Sequence, residues 1–312
     1  DSRLKRGGVF SEWHFSVSEY KLAMSGRIDV VHANALNPDS KYSAQYKTLE
    51  ATDVNPSLSV GITRQWTKKW FTGLWLGRGV RSAGIPERFI NYLQIGIDNY
   101  DILGNPTIKP EANQQTDLVI AYKTAKTSVQ FDGFGSIVSN YISSVIDPSL
   151  KPVSSGAPGV RRYTNIDKAV LTGFELSWSQ LLMPQLQQQL NVSYTYGRNN
   201  FTGKPLPQIS PMEIRFVLEG KLLENRLAPY TQLRHVLKQN RVADDFGEKK
   251  TPEFTTVNLG VRTEFAKSLL ISAEVNNLLN RAYREHLSRF IRPTLPLNAP
   301  GRSLVLMASY SF

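Results

Sequence analysis

The side chains able to do chemistry are few and widely spaced. The four histidines are His14, His32, His235 and His286. No two of them have the H-E-x-x-H spacing that sets two imidazoles on one helical face for zinc. Cysteine is absent, which removes disulfides, thiolate metal sites and thiol nucleophiles. There is no G-x-S-x-G elbow and no Walker or dinucleotide glycine motif. The sequence therefore reads as neither an enzyme nor a cofactor carrier. Two polar clusters remain. One is Tyr283, Arg284, Glu285, His286, Arg289 and Arg292; the other is Glu87, Arg88, Asn91, Tyr92, Asp98, Tyr100 and Asp101. In the first, carboxylate suits hard cations and imidazole suits copper and zinc, so Glu285 and His286 are metal candidates that do not choose the metal. In an extended segment their side chains point to opposite faces, so further ligands must come from elsewhere. The neighbouring arginines favour an anionic chelate over a bare cation, because guanidinium pairs with carboxylate or catecholate oxygens.

Composition narrows the classes. The chain has 312 residues, 41% of them hydrophobic, and a formal net charge of +11. Its mean hydropathy is −0.29, and no run approaches the roughly 18 apolar residues of a spanning helix. The basic residues are spread singly with acids between them and lack a nucleic-acid module, so a nucleic-acid partner is not expected.

The elements that must position both clusters show a period of two. Leu304, Leu306, Ala308, Tyr310 and Phe312 alternate with Ser303, Val305, Met307, Ser309 and Ser311. Leu190, Val192, Tyr194 and Tyr196 alternate with Asn191, Ser193, Thr195 and Gly197. Such alternation places one set on each face of a strand. It predicts thirteen strands, near 8–17, 20–32, 57–67, 70–81, 113–125, 127–145, 163–180, 188–200, 211–222, 227–239, 253–265, 268–279 and 302–312. Most reach the nine to eleven or so residues that a tilted strand needs to cross a bilayer.

The connections alternate too. Short ones fall at Ser18–Glu19, Lys68–Lys69, Lys126, Leu182–Gln187, Leu223–Arg226 and Ala266–Lys267. Long ones fall at 33–56, 82–112, 146–162, 201–210, 240–252 and 280–301. All long loops then lie at one end, the pattern of an outer-membrane barrel with short periplasmic turns. Trp66 and Trp70 beside the Lys68–Lys69 turn, with Tyr310 and Phe312 at the terminus, fit a periplasmic aromatic girdle. Glu213, Arg215, Glu219 and Lys221 share one strand face, opposite Ile214, Phe216, Leu218 and Leu222. A wet lumen or a solvated sheet would accept such a row equally. Gly135 and Gly173 read as places of close strand approach or bending.

Glu274-Val-Asn-Asn-Leu-Leu-Asn-Arg-Ala-Tyr283, followed by the strand from Pro300 to Phe312, resembles the C-terminus of TonB-dependent outer-membrane receptors. Gly79-Val-Arg-Ser-Ala-Gly-Ile-Pro-Glu-Arg-Phe89 is similar to that family's "FRAP…PERF" stretch, and Gly104-Asn-Pro-Thr-Ile-Lys-Pro-Glu111 to its "GNPxLKPE". Tyr163-Thr-Asn with Gly173-Phe-Glu175, and Thr251-Pro-Glu-Phe-Thr-Thr-Val-Asn-Leu-Gly260, also follow family patterns, in family order.

The resemblance implies an all-β, antiparallel up-and-down transmembrane barrel. It implies that residues 1–312 form the C-terminal portion, about 13 strands of a barrel of about 22 with a plugged lumen. The N-terminal plug and first strands would then lie outside this chain. The implied address is the outer membrane of a Gram-negative bacterium. The implied partners are outer-membrane lipid, a metal or metal-chelate ligand, TonB acting through the plug, and the barrel assembly machinery, which would read Tyr310 and Phe312. The implied function is TonB-dependent active transport of a scarce nutrient: an iron-siderophore, copper or zinc. The alternative is a passive porin or a surface-binding adhesin barrel. Segment 284–288 is similar to that of copper and zinc receptors, and no histidine lies between Gly79 and Glu111, where haem receptors carry one. Candidate ligand-contacting residues are Glu87, Tyr92, Asp98, Tyr100, Tyr283, Arg284, Glu285, His286 and Arg289.

Overall fold

A computed structural model describes residues 1–92, 100–224, 226–266, 268–288 and 297–311. Fourteen strands form one sheet. They are β1 (Ser2–Val17), β2 (Tyr20–Ala35), β3 (Glu50–Gln65), β4 (Trp70–Arg81), β5 (Asp101–Leu103), β6 (Glu111–Lys123), β7 (Thr127–Ile146), β8 (Val160–Met183), β9 (Leu186–Asn199), β10 (Glu213–Gly220), β11 (Leu227–Val236), β12 (Phe254–Ala266), β13 (Leu269–Asn276) and β14 (Ser303–Tyr310). Thirteen of them follow one another as an antiparallel meander. The exception is β5, a three-residue strand inside a long loop that pairs in parallel with Val160–Arg162 of β8. Period-two reading missed it because three buried residues are too short to show alternation.

Short and long connections alternate as expected. The tight ones are 18–19, 66–69, 124–126, 184–185, 221–226 and 267–268; the long ones are 36–49, 82–110, 147–159, 200–212, 237–253 and 277–302. The first long loop is shorter than the sequence reading, because β2 and β3 stay paired up to Asn34↔Glu50. The 182–187 turn contracts to two residues, since β8 and β9 pair up to Met183↔Leu186. β10 ends at Gly220, leaving Lys221 and Leu222 outside the strand they were assigned to. Two short helices, α1 (Ser40–Ser43) and α2 (Ile85–Phe89), lie in long loops. No helix among the described residues is long and apolar enough to cross a membrane, which says nothing of strands.

The register sorts the side chains onto two faces. Leu58, Val60 and Ile62 lie opposite Arg78, Leu76 and Leu74, and the latter two lie opposite Thr116 and Leu118. These large apolar side chains are exposed, so this stretch of the face has no protein covering among the described residues. The other face carries hydrogen-bonded polar ladders. Asn113 donates to Gln115 (3.1 Å), Gln115 donates to Asp117 (2.7 Å), and Ser136 donates to Asn113 (2.5 Å). Arg6 and Arg27 both pair with Asp29 on the same side. The row on β10 belongs here: Glu213 pairs with Arg215 and Arg234, and Glu219 with Arg262. Apolar outside and ion-paired inside is the arrangement of a barrel wall in lipid.

Glycines make room for aromatics on the inner face. Any Cβ at Gly61 or Gly73 would overlap the Trp75 indole, which lies flat across both positions. Gly173 meets the Tyr194 carbonyl and the Phe134 ring, as close strand approach requires. Gly135 does not fit that reading, since a Cβ there would meet nothing within 4 Å. At the short-turn end Trp70 packs on Tyr122 at 4.8 Å and Arg64 lies over Trp66 at 3.8 Å, so the aromatic girdle has both rings and a cation. Tyr310 is exposed at the end of β14; Phe312 lies outside the described residues.

Candidate functional site: the long-loop end

The long loops pack on one another at the end away from the girdle. Tyr42, Leu103 and Val160 form a buried cluster with Tyr46, Leu49, Phe89, Tyr92 and Leu150, joining three loops. A second cluster, Ala83, Ile108 and Ile142 with Tyr163, fixes the start of the 82–110 loop. Leu206 and Ile209 turn inward onto Val138 and Ala169.

The sequence motifs of the 82–110 loop build this scaffold. Pro86 opens α2, and Glu87 accepts from the Gly84 N–H at 2.6 Å, a capping arrangement that satisfies the first turn. Arg81 bridges Glu87 and Glu111, each at 2.8 Å. Glu111 also accepts from the Ile142 N–H. Arg88 is 1% exposed; it pairs with Asp53 at 2.6 Å and donates to the Pro106 carbonyl at 2.7 Å. Tyr42 donates to the Arg88 carbonyl. Burial pushes the Tyr42 hydroxyl pKa well up and that of Tyr46 up. Gly104 is required because a side chain would strike the Arg88 backbone.

The second half centres on Glu248, a residue that sequence reading did not single out. Its carboxylate accepts from the Gln208 N–H (2.7 Å) and the Ala243 N–H (3.0 Å), and lies 3.3 Å from His286 Nε2. The last contact has ion-pair distance without hydrogen-bond alignment, since Nε2 has no aligned partner. Burial raises the Glu248 pKa, but His286 and the two backbone N–H groups outweigh it and hold the carboxyl below its usual range. His286 Nδ1 is 3.1 Å from Thr251 Oγ1. Glu285 turns the other way, to Arg234 at 2.5 Å. Tyr283 packs on Phe254 at 4.3 Å, and burial then Glu285 raise its pKa. Arg284 reaches the Lys250 carbonyl at 3.5 Å.

Most candidates therefore have protein partners within the loop layer. Tyr92, with φ of 47°, packs in the Tyr42 cluster. Tyr100 abuts Gly247, and Arg161 lies over both Tyr100 and Phe246, so loops 82–110 and 237–253 meet there. Loops 237–253 and 277–302 meet at Glu248 and His286. The two clusters read from sequence are thus joined through a third loop, 237–253, from which sequence reading singled out no ligand candidate. Asp98, Arg289 and Arg292 lie outside the described residues. Among the described residues, no three of His, Cys, Asp or Glu gather as a metal site.

Residues 1–278 match the protein-family model described as TonB dependent receptor-like, beta-barrel. The chain belongs to the TonB-dependent receptor β-barrel family. The family match ends ahead of β14. The iron-regulated outer membrane virulence protein of Vibrio cholerae serotype O1 is 23% identical over 290 residues, 88% of this chain and 40% of its own length. Among solved structures, the copper transporter OprC superposes with a TM-score of 0.84 at 22% identity, covering 100% of this chain and 50% of that one. The FrpB iron transporter from Neisseria meningitidis (F3-3 variant) gives 0.75 at 16% identity, covering 100% and 46%. The ferric yersiniabactin uptake receptor FyuA from Yersinia pestis gives 0.69 at 14%, again over 100% and 46%. The chain spans half or less of each of these relatives. It is a receptor barrel of the outer membrane, built of antiparallel strands and open between β1 and β14 among the described residues.

Proposed function

We propose that this chain is the C-terminal barrel portion of a TonB-dependent receptor that imports a metal ion or metal chelate. The plug and first strands of that receptor precede it, and TonB acts through the plug. The observation that carries the reading is the family match over residues 1–278. The long loops form the capture surface, with 82–112 and 280–301 supplying ligand contacts. The arginines in and beside the second loop favour an anionic chelate, as guanidinium binds carboxylate and catecholate oxygens in bidentate fashion. Two relatives named as a copper and an iron transporter support the metal class without choosing within it.

The test is accumulation of labelled copper, zinc and ferric catecholate by cells carrying the complete receptor, with and without TonB. Uptake of one of them that vanishes without TonB is the expected result. Uptake that persists without TonB would make the barrel a passive pore. No uptake with surface binding retained would make it an adhesin. A Glu285→Ala, His286→Ala double variant is expected to weaken capture about tenfold or more. Unchanged capture would remove this pair and leave the transporter reading intact.

A further inference from the structure

The inner face carries a polar recess that none of the loop candidates lines. It has a volume of about 360 Å³ and lies on the wall of β2, β3, β4 and β6, just below the Arg81–Glu111 bridge. Ser25, Arg27, Ser59, Asn113, Gln115 and Asp117 supply its polar groups. Gly77 and Gly79 form its floor, and a Cβ at Gly79 would meet nothing within 4 Å. Register puts these residues on one face: Ser25 lies opposite Ser59, Ser59 opposite Gly77, and Gly77 opposite Gln115. Residues two apart share a strand face, which adds Arg27, Gly79, Asn113 and Asp117.

The two ends of the recess carry opposite charge. At one end Asp29, only 3% exposed, holds Arg27 through two hydrogen bonds of 2.6 Å, donated by Nε and Nη2. Arg6 pairs with the same carboxylate at 3.1 Å. Two guanidiniums share one carboxylate, so a positive charge is left over. Arg27 Nη1 has no partner among the described residues. At the other end a chain of donors runs from Ser136 to Asn113, from Asn113 to Gln115 and from Gln115 to Asp117. Every donor in it points toward the carboxylate, so the bonds polarise one another and the chain ends on an acceptor. Asp117 has no cationic partner among the described residues, and Arg27 pairs with Asp29 instead. Their strands stand three steps apart, about 14 Å at about 4.8 Å a step. The Ser25 and Ser59 hydroxyls, 2.7 Å from each other, lie between them.

We propose that this recess is a subsite for a zwitterionic metal chelate, with a carboxylate of the chelate on Arg27 and an ammonium on Asp117. The linking chain crosses the glycine floor beside Ser25 and Ser59. The proposal rests on the import reading and names its substrate class. A purely anionic chelate meets Asp117 as a like charge, and a bare cation meets Arg27 as one. A ligand with both charges on separate arms satisfies both ends, so each end selects against the ligand that the other would admit. Arg27 is already fixed by Asp29, so its orientation costs little further side-chain entropy when a carboxylate arrives. Placed under the loops and on the inner wall, the recess is a station between capture and passage through the lumen.

The test is titration calorimetry on the complete receptor in detergent. The probes are a linear ferric trihydroxamate with an ammonium at one end and a carboxylate at the other, the same chelate with the ammonium acetylated, and the same chelate with the carboxylate amidated. Each capped form should bind about tenfold or more weakly than the zwitterion, since each loses a hydrogen-bonded charge. Arg27→Gln should cost the zwitterion the same factor and the amidated form nothing. Asp117→Asn should do likewise with the acetylated form. Gly79→Val, which enters the recess without striking its neighbours, should weaken the zwitterion with both wall charges intact. Equal affinity of the three forms for the wild-type receptor overturns the proposal, whether or not the variants fold. Absence of binding by all three overturns it too, because the recess contacts end groups and not the metal core. Charge variants that lower the temperature at which the folded band is lost, with affinities unchanged, would overturn it by assigning the recess to the plug. Each of these failures leaves TonB-dependent uptake standing, whereas uptake that persists without TonB would sink the import reading and leave the affinities in place.

Discussion

Glu248 Oε1 lies 3.3 Å from His286 Nε2, and the imidazole that faces it has a side chain only 1% exposed. The same carboxylate accepts from Gln208 and Ala243, so one acid ties loops 200–212, 237–253 and 277–302 together. The histidine that the sequence offers as a metal candidate is thereby part of the loop scaffold.

This joint should weaken in acid. Glu248 has its folded pKa below the ordinary 4.5, so its contribution is complete above about pH 4.5. As the pH falls through the folded value, the unfolded carboxyl has already bound its proton, the folded one must follow, and the stabilisation is lost. Amide exchange at Ala243 and Gln208 should accelerate below pH 4.5 relative to the amides of β6. Glu248→Gln should bring the acid rate to neutral pH. Equal exchange in both proteins at neutral pH would contradict the joint.

Arg88 of α2 and Asp53 of β3 form a pair that ties the 82–110 loop to the barrel wall. Arg88→Met leaves Asp53 without its partner and should cost about 3–5 kcal/mol. Limited proteolysis should then cut within 82–110. The Arg88→Met, Asp53→Leu double variant should recover much of the loss, because two apolar groups replace two charges.

Gly173 and Gly135 provide a matched comparison. Gly173→Ala drives a methyl into the Tyr194 carbonyl and should cost about 1–3 kcal/mol by overpacking. Gly135→Ala meets open space and should change little. The temperature at which the folded band is lost on gels reads both.

Deleting Phe312 from the complete receptor should lower the amount folded in the outer membrane, with the defect in assembly rather than in ligand capture. The outer face of β14 exposes Leu304, Leu306 and Tyr310, so an unassembled strand presents a continuous apolar edge. Surface immunoblots beside uptake per folded receptor separate the two effects. Normal surface levels would remove the terminal ring from assembly.

The sequence by itself determined the strands, their order and the side on which long loops lie. Period two is a local signal, and it survives wherever one face is apolar and the other polar, as in Asn113, Gln115 and Asp117 against Leu118 and Ile120. The motif stretches 79–89 and 104–111 were legible too, though Glu87, read there as a ligand candidate, also caps α2 through the Gly84 N–H. Only the tertiary structure decided which loop groups meet. Arg88 finds Asp53 at a separation of 35 residues, Thr251 finds His286 at 35, and Arg241 finds Tyr194 at 47. Such pairs depend on where the register of intervening strands delivers each loop, and no local pattern encodes that. The parallel pairing of β5 with β8 is of the same kind: three residues carry no period, and their partner is chosen by the packing of Leu103 against Val160 and Tyr42.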